Sequence, residues 1–588
     1  MRLPGLDTVA DGIGKVTRRF PFAMIVALIG TASAYSVVHF ESLEDEWSLY
    51  RLLMTSVLGF LLFVVLQLKL EREKMKGGYA LLIKLIGAVF LALYYWQLPN
   101  DFDFASSAFI IRFFLLGLTL LFSLTFVPFI RHVKEVNGFW QYCKTLFIRF
   151  FLTFVFTGTL YLGLVLALVG VKELLGINFD EKLFFELWIV IVGLISTSFF
   201  LLGIPESTAA LQKKTDYHRG IQIFAEYVLT PLILIYAVIL YIYTGKIILN
   251  WDWPEGMVSW LIIVFSIATI LANFMLWPLL KKEVYVKYFQ KISYALLIPM
   301  TMVMFLALKI RIDDYGITEA RYYGMVVCFW FLAMSLYFIF SKKKNLLVLP
   351  VSLCIITLLS SAGPISSMNI SKWSQMNRLK TALIESGILI DGKVQKIEGE
   401  IDKELIATIS SSLDYIIEVH GFEVLQPWFD EKLSFSRYDS CYRTECVTRL
   451  MGIKYLYQWE RGAEAPIEPV RESKHFYVTE NSPLRIEGYS EIIPFHISIL
   501  KEDEGNVVVR ENPLRLIYTD SDEKEKTIEF EALLTDLEQN VTELKKWDEM
   551  RIDREEIGIA IQSINYQRNP DNTLNEYFFM DGYLLIRD

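Results

Sequence analysis

The chain has 588 residues, 54% apolar, 14% aromatic and only 21% charged, with a mean hydropathy of +0.39. Its apolar residues fall in long runs, which excludes a wholly soluble protein, a disordered chain and a small disulfide-stapled scaffold. Charge divides the chain at Gly363: residues 363–588 carry 26 Lys+Arg against 42 Asp+Glu, and the remainder carries 31 against 24. A basic, apolar part and an acidic part of ordinary hydropathy suit different solvents. An acidic tail of net charge −16 is a poor nucleic-acid partner, because phosphate contacts need clustered Lys and Arg.

Hydropathy predicts eleven membrane spans, at about 21–39, 49–68, 79–98, 105–130, 146–170, 183–204, 222–244, 257–280, 291–309, 322–340 and 346–362, each near the length a ~30 Å hydrocarbon core requires. The first follows Lys15, Arg18 and Arg19. Ala32-Ser33-Ala34 resembles a signal-peptide cleavage site. The polar stretch before it is long and the apolar run continues past Ala34, so the segment reads as an uncleaved anchor. Residues 1–20 then form a cytoplasmic N-terminal segment and 21–362 a multi-pass domain.

Loop charge alternates. The loops after spans two, four, six, eight and ten carry Lys74 and Lys76, Arg131 and Lys134, Lys213 and Lys214, Lys281 and Lys282, and Lys342 to Lys344. The loops between them carry Glu44 and Asp45, Asp101 and Asp103, Glu173 and Asp180, Asp252 and Glu255, and Asp313 and Asp314, with Lys172, Lys182, Lys246 and Arg311 as a cationic minority. The positive-inside bias places the N-terminus in the cytoplasm, and an odd number of spans places everything after Gly363 outside. Trp96, Trp251, Trp253, Trp260 and Tyr243 gather near expected outer span ends, as an interfacial aromatic belt does.

Ionisable and amide groups inside spans are costly and need partners. Arg112 lies in span four, Glu186 in span six, Glu226 in span seven and Asn273 deep in span eight. A polar pathway would pair Arg112 with Glu186 near the outer face and set Glu226 beside Glu206 near the inner one. The plain reading is snorkelling near helix ends, with Asn273 as helix–helix glue. The outer loop Lys309–Tyr323 (KIRIDDYGITEARYY) is the densest patch of opposite charge in the membrane half. Lys309 and Arg311 precede Asp313, Asp314 and Tyr315, and Glu319 precedes Arg321 around a tight turn at Gly316. Thr318 is placed to cap span ten, with Arg321 where a capping box has Glu. The functional readings are an anion-binding patch or a dock for the tail; the plain one is a salt-bridged hairpin.

In the tail, residues 371–386 read as a helix opened by Ser371 and stopped by Gly387, with Met376, Leu379 and Leu383 at helical spacing. A second helix covers 400–419, and a short one lies near 443–451. Strand patterns follow at 474–479, 491–500, 505–510, 513–519 and 526–530, then a helix at 531–547, then strands at 556–567 and 575–587. Residues 363–470 are thus mainly helical and 471–588 α+β. Gly387 to Lys393 has the spacing of a phosphate loop, but Val394 stands where a metal-binding hydroxyl is needed, so it reads as a turn. Cys441 and Cys446 read as a disulfide or two separate thiols, and a zinc site would need the distant His475 and His496. No short motif for catalysis, metal or cofactor is visible.

The stretch from Arg311 to Tyr323 resembles the signature of a bacterial family of multi-pass membrane proteins catalogued only as a domain of unknown function. Tyr227–Tyr243 is similar to a second stretch of that family, and Gly363-Pro364 through Ser374, Gln375, Arg378 and Leu379 to Gly387 and Gly392 to a third. The likeness covers about residues 20–430. It implies a bacterial cytoplasmic-membrane protein with an extracytoplasmic tail, and it implies no activity.

The expectation is a polytopic α-helical membrane protein with a soluble α+β extracytoplasmic domain. Two functions suit it. One is a non-enzymatic envelope protein that anchors, senses or binds another envelope protein through its acidic tail, in contact with the lipid bilayer alone otherwise. The other is a transporter or membrane enzyme for a lipid-linked or anionic substrate.

Overall fold

The computed structural model describes residues 6–39, 43–99, 108–177, 179–251, 257–397, 401–433, 443–457, 460–461, 474–478, 484–498, 507–510, 515–519, 525–539, 544–554, 557–568 and 574–587. It comprises two compact units, Met1–Arg461 and Gly462–Asp588.

The first unit opens with α1 (Leu6–Arg19), a helix that the polar sequence before span one did not suggest, and α2 (Pro21–Val37). The two meet at a 108° bend, where Pro21 cannot continue the helix before it. Arg19 fixes the corner, donating to Glu71 and to the carbonyls of Ile204 and Pro205. There follow α3 (Leu43–Arg72), α4 (Gly78–Gln97), α5 (Ala108–Phe126), α6 (Val136–Leu175), α7 (Lys182–Leu202), α8 (Arg219–Asn250), α9 (Met257–Met275), α10 (Val284–Tyr315), α11 (Glu319–Phe340) and α12 (Val348–Ser361). Every expected span has a helix. Nine helices among the described residues are long and apolar enough to cross a membrane, ten if the bent pair counts as one span. The eleventh expected span, α12, falls short at 14 residues, beginning at Val348 and ending at Ser361, just before Gly363-Pro364. The protein is therefore a polytopic helical membrane protein, with the number of complete crossings near ten.

The bundle packs as lipid-embedded helices do, with small residues at contacts. A Cβ on Gly30 of α2 would stand 2.9 Å from Ser56 of α3. Asn273 of α9 is buried and donates to Ser293 Oγ of α10 at 2.9 Å and to the Thr269 carbonyl at 2.8 Å. Trp96, Trp251 and Trp260 are exposed, as belt residues facing lipid should be; Trp253 lies outside the described residues.

The five basic loops are joined at one end of the bundle. Arg131 bonds Glu73, Asn137 bonds the Gln212 carbonyl, Asn345 bonds the Val133 carbonyl and Lys344 bonds Gln290. Arg72 pairs with Glu135 at 2.6 Å in the same network. Loops of like expected sidedness thus meet in space.

The first unit ends in helices. α13 is Ser367–Glu385, one turn longer at its start than residues 371–386. The cap is Ser366, whose hydroxyl accepts from the Asn369 N–H; Ser371 is instead buried inside the helix. A hairpin of β1 (Leu389–Ile390) and β2 (Lys393–Val394) turns at Asp391-Gly392, where both φ values are positive, so the phosphate-loop spacing is a tight turn. α14 (Lys403–His420) is capped by Asp402 and α15 is Arg443–Met451. Leu379, Leu383, Leu413, Ile416 and Val447 bury between them. Cys446 on α15 is disulfide-bonded and Cys143, Cys328 and Cys354 are free; Cys441 lies outside the described residues.

The second unit holds β3 (Lys474–Val478), β4 (Glu491–Ser498), β5 (Val507–Arg510), β6 (Arg515–Thr519), β7 (Glu525–Glu529), α16 (Glu531–Gln539), β8 (Leu544–Lys545), β9 (Arg551–Asp553), β10 (Ile557–Arg568) and β11 (Leu574–Ile586). The larger sheet runs β4-β11-β10-β3-β8 with β9 on β10, and the smaller β5-β6-β7. Apart from the parallel β3–β8 pair, the ladders are antiparallel. Leu534 and Leu537 of α16 pack against Ile559, Ile561 and Met580. The expected helix at 531–547 stops at Gln539, and β8 and β9, which no alternation announced, follow it.

Replacing Asn273 with Ala should lower the stability of the full chain by about 0.6–2 kcal/mol, read in a denaturant titration in detergent micelles. An unchanged midpoint would mean that the amide does not hold α9 to α10.

Candidate functional site

The charged hairpin between α10 and α11 is the place where the bundle meets α13 and α14. The last turn of α10 carries the Lys309–Asp313 ion pair, four residues apart. Gly316 then adopts φ 72°, ψ −179° and donates its N–H to the Ile312 carbonyl. A Cβ there would be strained and would stand 2.9 Å from Gln375 Nε2. The turn's backbone groups must find donors and acceptors, and α13 supplies them. Gln375 donates to the Tyr315 carbonyl at 2.9 Å, and Ser374 Oγ accepts from the Ile317 N–H at 2.9 Å. Arg321 donates back to the carbonyls of Tyr315 and Gly316 at 3.2 and 2.7 Å. Thr318 holds the cap position but makes no side-chain cap bond; Arg321 serves the turn from the other side.

Glu319, only 8% exposed, opens α11. Its carboxylate accepts from Ser371 Oγ of α13 and from the Tyr415 hydroxyl of α14, both at 2.5 Å. One turn on, the Tyr323 hydroxyl lies 2.6 Å from Ser367 Oγ, and Tyr322 donates to the Ile365 carbonyl at 2.7 Å. Ser367, Ser371 and Gln375 are buried and recur every four residues, so one polar stripe of α13 faces the hairpin. Burial and the Glu319 bond push the Tyr415 phenol well above its ordinary range. Burial pushes the His420 imidazole down, against the pull of Glu319. The His420 Nε2 is buried with no hydrogen-bond partner among the described residues, and its ring lies 5.7 Å from that of Tyr415.

The six expected hairpin residues stay together, but the expected intramembrane polar groups do not. Glu186 accepts from Tyr35 at 3.2 Å and lies 3.2 Å from His39 Nε2, so the pairing with Arg112 does not form. The Arg112 Nε is buried without a hydrogen-bond partner among the described residues. Glu226 accepts from Gln222 at 3.2 Å, one turn away on its own helix. The expected pairing of Arg112 with Glu186 rested on depth alone, which does not fix which way each helix turns. None of the four lines the apolar groove of about 1050 Å³ between α5, α6, α9, α11 and α12. That groove runs from Trp140 and Lys144 to Tyr323 and Ser360, and its lining among the described residues is mainly apolar. Sequence reading missed Ser367 and Tyr415 altogether, and it named Ser371, Ser374 and Gln375 without their role as partners of the hairpin. The four-residue spacing of Ser367, Ser371 and Gln375 was the available signal.

A multi-span bundle with its polar hairpin covered by a following helical segment defines a class of polytopic membrane protein. The chain belongs to the family described as a domain of unknown function (DUF4153), whose model matches residues 23–397. That range holds the bundle, the hairpin and α13, whereas Tyr415 lies beyond it. The chain is also similar to a Pasteurella multocida protein itself described as uncharacterized, 23% identical over 413 residues. The match covers 69% of this chain and 66% of that protein's length, just under two thirds. No solved structure matches.

Two outcomes follow from the geometry. Gly316→Ala should destabilise the chain by about 1–3 kcal/mol, seen as a lower denaturation midpoint; an unaltered midpoint would remove the claim that α13 packs tightly on the turn. For His420, the folded pKa lies below the ordinary value of 6.5, so the unfolded chain takes up the proton first. The stability tied to this group is full above that value and is lost as pH falls from it through the folded pKa. Lys372 adds to that loss and Glu319 opposes it. His420→Gln should flatten stability against pH below 6.5, and an identical slope in the variant would show that another group titrates.

Proposed function

We propose that this is a non-enzymatic envelope protein of a bacterial cytoplasmic membrane, whose bundle anchors and orients an acidic extracytoplasmic region that binds a partner. The observation that carries this reading is the use made of the signature residues. The Glu319 oxygens are taken up by Ser371 and Tyr415, Arg321 by the turn, and Asp313 by Lys309. A carboxylate with both oxygens engaged by structural hydroxyls holds helices together and is poorly placed to move a substrate proton.

Sidedness is supported by the gathering of the basic loops at one end, which the positive-inside bias assigns to the cytoplasm. The hairpin of Asp313 and Asp314 and the chain after α12 then face outward, in the oxidising compartment that suits a disulfide at Cys446. The net charge of −16 beyond Gly363 favours a cationic protein partner over an anionic lipid surface. The second reading, a transporter or an enzyme for a lipid-linked or anionic substrate, draws on the apolar groove of about 1050 Å³.

Sidedness is tested with single cysteines at two exposed positions, Glu418→Cys on α14 and Lys343→Cys in a basic loop. An impermeant maleimide should label the first in intact cells and the second only after permeabilisation; the reverse pattern would place the acidic region in the cytoplasm. The role is tested in a strain with a deletion phenotype. Removing residues 462–588 should reproduce the full deletion, whereas Asp314→Asn should behave as wild type. The opposite pair of results would favour the transporter or enzyme.

A further inference from the structure

The apolar groove of about 1050 Å³ is a cleft in the wall of the bundle. Its floor is buried, as at Leu115, Phe139 and Phe331, and its rim is exposed, as at Phe114, Phe147 and Ile267. On α5 the lining runs from Ile111 to Thr125, a height of about 21 Å at the rise of an α-helix. One leaflet supplies half of a ~30 Å hydrocarbon core, so the groove is tall enough to hold a whole acyl chain.

The two ends of the groove differ. At the hairpin end the hydroxyls are engaged with one another: that of Tyr323 lies 2.6 Å from Ser367 Oγ, and Ser360 Oγ lies 3.3 Å from the Tyr322 hydroxyl. At the basic end stands Lys144, the one charged side chain among the described residues that line the groove. Its ammonium donates to the Asp216 carbonyl at 2.9 Å and lies 5.5 Å from the centre of the Trp140 ring. An ammonium has three donors, and the Asp216 carbonyl takes one. Asn137 holds the Lys214 carbonyl at 2.8 Å and Gln141 holds the Asp216 carbonyl at 2.8 Å. The strap so fixed carries the exposed Lys213 and Lys214 as well as Asp216. With Lys144 it sets three cations against one carboxylate at this mouth. A cleft lined by hydrocarbon and cationic at one end alone is the complement of an amphiphile with an anionic head, and basic pockets between membrane helices receive such head groups.

We propose that the groove binds an anionic phospholipid, with an acyl chain laid along α5 and the head group at Lys144, Lys213 and Lys214. The inference goes beyond the anchoring role and does not rest on it. The lipid is a bound constituent of the bundle, and no bond of it is made or broken.

The full chain, purified in dodecyl maltoside, is irradiated with a phosphatidylglycerol that carries a diazirine on one acyl chain, and the adducts are mapped by peptide mass spectrometry. They should gather on the groove-lining positions of α5, α6 and α9. Unlabelled phosphatidylglycerol should compete about tenfold or more better than phosphatidylcholine with the same chains. Lys144→Gln should weaken the apparent affinity about fivefold. Leu118→Trp, at an exposed position on the rim, should cut the groove adducts by filling the chain's path. If either variant fails to fold, the competition between the two lipids still decides the matter. Adducts spread evenly over other exposed apolar helices such as α4, equal competition by phosphatidylcholine, or an unchanged affinity in Lys144→Gln would each overturn the proposal. So would an unlabelled groove in a chain that runs as a dimer, which would give the cleft to a second copy.

Discussion

A carboxylate buried at the mouth of a membrane helix has to be satisfied by its neighbours, and that requirement organises this protein. Glu319 finds no donor of its own in α10 or α11. Its two hydrogen bonds come from α13 and α14, helices that lie after the last apolar segment. Leaving such a group without donors costs a large fraction of a typical domain's stability. The bundle and the segment that follows it are therefore parts of one packed unit ending at Arg461. The backbone of the turn works the same way, since Tyr315, Gly316 and Ile317 find their partners in Gln375, Arg321 and Ser374.

The two ends of the bundle handle charge differently. At the basic end, Arg72 and Arg131 are paired with Glu135 and Glu73, and the loops are stitched together by short polar contacts. At the hairpin end, Glu319 is engaged by hydroxyls and Asp313 by a lysine, and Arg321 serves the turn's carbonyls. A surface ion pair adds little to stability, so the contrast bears on what each end can receive rather than on how firmly it folds. The basic end is stitched together by a few of its charges while most of its lysines stay at the surface; the hairpin end spends its charges on docking α13 and α14.

Much of this was legible in the sequence, and the rest was hidden for identifiable reasons. The spans were legible because lipid demands long apolar helices with internally satisfied backbones, and each has its helix. Strands β4, β10 and β11 were legible from alternation. The hairpin stood out by its charge density, and its function as a dock for α13 was one of the readings its residues allowed. Its partners were not legible. Ser371 looked like a helix cap because serine favours that position, whereas Ser366 caps and Ser371 lies inside, turned to Glu319. Tyr415 sat unremarked on α14 beside the apolar stripe of Ile409, Leu413 and Ile416. Nothing in sequence spacing links it to a glutamate 96 residues away. Arg112 and Glu186 show the same limit from the other side, since equal depth in the bilayer says nothing about rotation around it.

The central claim is that Glu319 couples the membrane helices to α14, and a double-mutant cycle measures that coupling directly. Glu319→Gln, Tyr415→Phe and the pair are compared by denaturant titration of the full chain in micelles. The account predicts a coupling energy of at least about 1 kcal/mol between the two sites. Effects that add within about 0.3–0.5 kcal/mol would contradict it, and would mean that the hairpin and α14 are neighbours without being joined.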